Sequence, residues 1–88
     1  MRGLSPQRRD LLWRVISRLT GLPRERLAPD TPLLTEGYLT SLQVVELVNA
    51  LERETGISFL DEDITPENFD TPRAMAELLC RRSGRSAP

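Results

Sequence analysis

Ser41 is the residue best placed to do chemistry: it follows Gly37-Tyr38-Leu39-Thr40 and opens an amphipathic run that ends before Gly56. A serine at the start of a helix meets free backbone N–H groups and the positive end of the macrodipole, a setting that favours an incoming phosphate. Taken alone, the Thr40-Ser41 pair is better read as a helix cap, because Thr40 and Gln43 have the spacing of a capping box. The rest of the inventory is poor. The chain has no His, and all its basic residues are Arg, so general acid and base work would fall to carboxylates or to the single thiol, Cys80. Cys80 lies outside the inward arc of its helix and is expected to be partly exposed with no base beside it. No catalytic residue is assigned. No Cys and His set has metal-ligand spacing, so no metal is assigned either. Asp61, Asp63 and Thr65 imitate the start of a calcium loop, but Pro66 stands at the position that needs Gly and Pro72 at the one that needs Glu. A solvated acidic loop is expected there.

The elements that must position Ser41 are legible from their caps. Ser5-Pro6, Thr65-Pro66 and Thr71-Pro72 mark helix starts, since the hydroxyl caps free N–H groups and Pro fits the first helical position. The first helix is predicted from Pro6 to Thr20, stopping at Gly21. Leu11, Leu12, Val15, Ile16 and Leu19 share one face, with Arg14 and Arg18 opposite and Trp13 at the core edge. Residues 21 to 39 form a long loop that carries Leu22, Leu27, Leu33, Leu34 and Leu39 and is therefore expected to pack across the helices. The second helix is predicted from Thr40-Ser41 to Thr55. A connection with Ile57, Phe59 and Ile64 among acids leads to a short helix at Pro66 to Phe69. The last helix is predicted over Pro72 to Arg82, with Ala74, Met75, Leu78 and Leu79 inward and a frayed tail from Arg82 onward. No alternation is sustained enough for a sheet. The expected fold is all-α: a four-helix bundle of three longer helices and one short one, with a long loop after the first.

Size and charge narrow the function classes. The 88 residues make one domain, 1–88, with an ordered core of about residues 5–82 and little room for an internal active-site cavity. No apolar run has spanning length and the N-terminus is no signal sequence, so a cytoplasmic protein with no membrane partner is expected. The net charge of −1 hides an asymmetry. Residues 1–26 hold seven Arg against two acids, whereas residues 27–79 hold eleven acids against two Arg. The acidic middle favours basic protein surfaces and argues against nucleic acid; the N-terminal arginines, without aromatic interleaving or a recognition helix, read as a solvated face.

On the second helix, Val44, Leu47, Val48 and Leu51 fall within one arc, with Val45 and Glu52 at its edge. Leu42 falls on the outward side with Glu46, Asn49 and Arg53. Thr40, Leu42, Val45, Glu46 and Asn49 therefore form a candidate partner-docking surface around Ser41.

Gly37-Tyr38-Leu39-Thr40-Ser41-Leu42, running into Val44-Val45-Glu46-Leu47-Val48, resembles the attachment motif of the acyl and peptidyl carrier protein family, Gly-x-x-Asp-Ser-Leu followed by an amphipathic helix. The likeness continues through Ala50-Leu51-Glu52, Gly56-Ile57 and Glu67-Asn68-Phe69, and covers roughly residues 5 to 80. It implies a stand-alone, monomeric carrier with no enzymatic activity, in which Ser41 takes a covalent 4'-phosphopantetheine arm from coenzyme A. The arm would hold an acyl or aminoacyl intermediate as a thioester. The implied partners are a phosphopantetheinyl transferase, a loading enzyme of the adenylation, ligase or acyltransferase kind, and downstream synthase or tailoring enzymes.

Two positions depart from the pattern. Thr40 replaces the family's usual Asp, and Gln43 replaces an acid found in many fatty-acid carriers. Both keep helix capping while removing negative charge from the rim. That points away from primary fatty acid synthesis and toward nonribosomal peptide or polyketide assembly; Thr31-Pro32-Leu33-Leu34 also looks like the loop of free-standing peptidyl carriers. The alternatives are, from another class, a helical interaction module with a carrier-like fold that is never modified, or a carrier of primary fatty acid synthesis.

Overall fold

All three predicted Ser/Thr-Pro pairs start helices in the computed structural model, which describes residues 4–83. The Ser5 hydroxyl accepts the Arg8 N–H at 3.2 Å and opens α1, Pro6–Thr20. The hydroxyls of Thr65 and Thr71 accept the N–H groups of Asn68 and Ala74, opening α3, Pro66–Phe69, and α4, Pro72–Ser83. Between them, α2, Ser41–Thr55, starts at Thr40 with the expected capping box. α1 and α2 both end on a left-handed glycine, Gly21 at φ 79° and Gly56 at φ 76°, a conformation that costs glycine no Cβ clash. Short 3₁₀ turns interrupt the connections at Arg24–Arg26 and Asp61–Asp63. No strand occurs among the described residues, so the all-α expectation holds.

α1 packs against α2 and α4, and α3 packs against α4. The core between them includes Leu12 and Ile16 of α1, Leu47 and Leu51 of α2, Phe69 of α3, and Leu78 and Leu79 of α4. The long connection contributes fully: Leu27, Leu33 and Leu39 are buried, and Leu22 and Leu34 are partly so. Trp13 is more deeply placed than a core edge. It is buried, and its indole N–H donates to the Leu27 carbonyl at 2.8 Å, which fixes the loop against α1. On α4 the inward alanine is Ala76, while Ala74 is half-buried beside its Thr71 cap. The face of α4 turns toward α1 as well as α3, and this shifts the buried arc past Ala74.

Two expectations need correction. Asp63 is not a solvated loop acid: it is 4% exposed, and its carboxylate receives both the Arg82 guanidinium, at 2.6 and 2.7 Å, and the Leu60 N–H at 2.8 Å. A buried carboxylate persists only when paired and hydrogen-bonded, and Arg82 supplies the fork that does so. Arg82 for its part is no frayed residue, because α4 continues through Ser83 and the ion pair ties its last turn to the connection after α2. Residues 84–88, also expected to fray, lie outside the described residues.

A second tie acts on the loop that leads to Ser41. The Asp70 carboxylate accepts the N–H groups of Leu34 and Thr35, each at 2.9 Å, and the Thr35 hydroxyl at 3.0 Å, while the Asp70 carbonyl accepts the Leu33 N–H. The Thr35 N–H is the main cause that holds this carboxyl below the usual carboxylate range. Bidentate Arg73–Asp30 pairing adds an exposed clamp on the same loop.

Candidate functional site

Residues 32–39 deliver the chain to α2 through a tight turn. The Leu33 carbonyl accepts the N–H groups of Tyr38 and Leu39, and Gly37 takes φ 80° to close it. Thr40 then caps the helix, its hydroxyl accepting the Gln43 N–H at 3.2 Å while its own N–H donates to Gln43 Oε1 at 2.9 Å. This leaves Ser41 as the first residue of α2, exposed, in a first turn where the N–H groups of Ser41 and Leu42 have no partner within the helix.

Beside Ser41 runs an apolar groove of about 370 Å³ formed by Leu34, Val44, Val45, Ile64, Thr65 and Pro66. Its walls come from three places: the loop held by Asp70, the first two turns of α2, and the start of α3 next to the Asp63 tie. Ionisable side chains do not line it. Ser41 therefore has no general base in its own groove, and the arrangement suits an acceptor of a transferred group more than a catalyst of the transfer.

The residues expected around Ser41 all lie on the outer side of α2. Leu42 is 70% exposed and Val45 49% exposed, and Thr40, Glu46 and Asn49 are exposed with them. Val45, placed at the arc edge by periodicity, both faces outward and lines the groove. Tyr38, Leu60 and Ile64 are exposed apolar residues beyond that expected surface. Of the three apolar residues set among acids in that connection, Ile57 is buried and Phe59 half-buried, whereas Ile64 is exposed next to buried Asp63. An Ile placed just before the Thr-Pro start of a capped short helix was the available signal.

Gln43 completes the expected capping box with Thr40, but the expectation that it is otherwise an uncharged rim residue needs correction. Its side chain is half-buried instead, and Nε2 donates to the Leu19 carbonyl of α1 at 2.8 Å while Oε1 holds the Thr40 N–H. The amide faces the interior, so the rim-charge argument applies to Thr40 and not to Gln43.

Elsewhere the described residues include no group of three or more His, Cys, Asp or Glu able to hold a metal ion, and no helix among them is long and apolar enough to cross a membrane. No curated protein and no solved structure matches the chain. A family model described as the phosphopantetheine attachment site matches residues 10–79, from α1 to the Leu79 turn of α4. Members of that family bind 4'-phosphopantetheine covalently and carry substrates for enzymes without being catalytic themselves. With a match across most of its length and the helical bundle the family's likeness implies, the chain belongs to the phosphopantetheine-binding carrier proteins.

Proposed function

We propose that the protein is a discrete acyl or aminoacyl carrier whose arm is attached at Ser41. The observation that carries this reading is the exposed Ser41 hydroxyl at the first position of α2, opening onto an apolar groove without ionisable side chains. The residues fit the group. Free N–H groups and the helix dipole favour a phosphodiester on Ser41 Oγ, and the groove offers an apolar wall to whatever hangs from it. Attachment forms the bond from Ser41 Oγ to the pantetheine-bearing phosphorus of coenzyme A and breaks that phosphorus's bond to the 3',5'-ADP portion. The serine proton passes to a base of the transferase. Once bound, the arm supplies a terminal thiol for thioester chemistry.

Thr40, Leu42, Val45, Glu46 and Asn49 are the contact surface for the transferase, the loading enzyme and the downstream synthase or tailoring enzymes. Exposed Leu42 and Val45 give an apolar centre with polar neighbours, the composition a transient interface uses. The pathway we favour is nonribosomal peptide or polyketide assembly in the cytoplasm, with the carrier as a monomer. Its support is the pair of departures at the start of α2: neutral Thr40 where the family usually has Asp, and Gln43 where many fatty-acid carriers have an acid.

Incubation with coenzyme A and a broad-specificity transferase should add one arm by intact mass, and Ser41→Ala should take none. An arm on Ser58 or Ser83, or none on the wild type, overturns the assignment. A transferase dedicated to fatty acid synthesis should act more slowly on the wild type, with Thr40→Asp narrowing the gap at low salt, where surface charge is least screened. Preference of that transferase for the wild type would remove the support for a specialised pathway.

A further inference from the structure

Two backbone groups of opposite kind meet where α2 begins beside the end of α1. The Leu19 carbonyl belongs to the last turn of α1 and has no partner within its helix, and the Thr40 N–H lies just before α2. One side chain serves both: Gln43 Nε2 donates to Leu19 at 2.8 Å and Oε1 accepts from Thr40 at 2.9 Å. The task requires a donor and an acceptor on one short planar group, and among side chains of this length the primary amide has both. A carboxylate at position 43 would still accept from Thr40. It would also set a negative charge against the Leu19 carbonyl, at the negative end of the α1 dipole.

We infer that Gln43 is a positioning residue for arm transfer: its amide fixes the first turn of α2 on the end of α1 and so sets where the Ser41 hydroxyl stands on the molecule. The connection between these helices, residues 21–40, is long, and the cap at Thr40 is local to α2. The cap orients Ser41 within its helix; the Leu19 bond orients that turn relative to the bundle a transferase must grip. This role rests on the reading of Ser41 as the attachment residue and adds to it the element that presents the serine.

Three variants test the inference. Gln43→Glu keeps the acceptor and loses the donor, Gln43→Met loses both without adding charge, and Trp13→Phe removes a buried hydrogen bond whose partners do not line the groove beside Ser41, as a control for general destabilisation. Rates of arm transfer, with kcat and KM separated, are measured well below the melting temperature of every variant, together with amide order parameters for Thr40 and Ser41. Both Gln43 variants should lower kcat/KM roughly three- to tenfold, the effect of one net hydrogen bond. Both should also lower the two order parameters, and Trp13→Phe should change neither readout. Wild-type rate in Gln43→Met, slowing confined to Gln43→Glu, unchanged order parameters, or equal slowing by Trp13→Phe each overturns the inference while leaving Ser41 as the attachment residue. A wild type that takes no arm on Ser41 overturns the attachment reading itself, and Gln43's role with it.

Discussion

Leu42 and Leu47 belong to one helix and have opposite surroundings: Leu42 is 70% exposed beside Ser41, whereas Leu47 is wholly buried in the core. Leu42→Asp should therefore change stability by no more than about 0.5 kcal/mol while slowing loading by the cognate partner, because an exposed apolar contact acts on the interface and not on the fold. Leu47→Asp should cost about 4 kcal/mol or more, since the carboxylate would have no partner in the core. Denaturant melts of both variants, beside loading rates, check the pair. Similar destabilisation by the two would contradict this facing of α2. Gln43 on the same turn is more engaged than its surface-like identity suggests, for its amide is bonded at both ends.

At the scale of elements, the groove beside Ser41 exists because separate segments are pinned around it. Asp70, at the end of α3, receives two N–H groups and one hydroxyl from Leu34 and Thr35, and Leu34 lines the groove. Hydrogen bonds to a charged group are stronger than neutral ones, but Thr35 can be resolvated by water when the carboxylate is removed, so Asp70→Ala should cost about 1 to 2 kcal/mol. Its pH dependence has a definite sign. The folded carboxyl titrates below the usual range, so its stabilisation is complete above the unfolded value near pH 4 and is lost as pH falls toward the depressed folded value. Asp70→Asn should flatten that part of the stability profile and raise amide exchange at Leu34 and Thr35 without unfolding α2. Hydrogen-exchange mass spectrometry across pH 3 to 6 reads both effects; a profile identical to wild type would remove Asp70 from the loop's support.

For the molecule as a whole, the Asp63–Arg82 pair joins the connection after α2 to the last turn of α4, and the Arg82 guanidinium is the main cause that holds Asp63 below the carboxylate range. Again stability is present above about pH 4 and falls away as the carboxyl protonates. Asp63→Asn should lower the melting temperature at neutral pH by more than Asp10→Asn does, because the Asp10 pairs with Arg14 and Arg24 are solvent-exposed and screened. The gap should narrow as pH falls below about 4 toward the depressed folded value; equal effects at pH 7 would make the buried pair no different from the exposed ones. What the sequence by itself determined is local: Ser-Pro and Thr-Pro pairs, the Thr40 capping box and the terminal glycines bounded the four helices, and periodicity put Leu42 outside, Leu47 inside and Ser41 at a helix start. What the tertiary structure decided is every role that depends on a distant partner. Arg82 reaches Asp63, Gln43 reaches Leu19, and Asp70 reaches Leu34 and Thr35 across 19, 24 and about 35 residues. Periodicity and capping report a residue's neighbours within a few positions along its own helix, so an acid read as solvated, an arginine read as frayed and a glutamine read as rim surface could show their engagements only once the helices had packed.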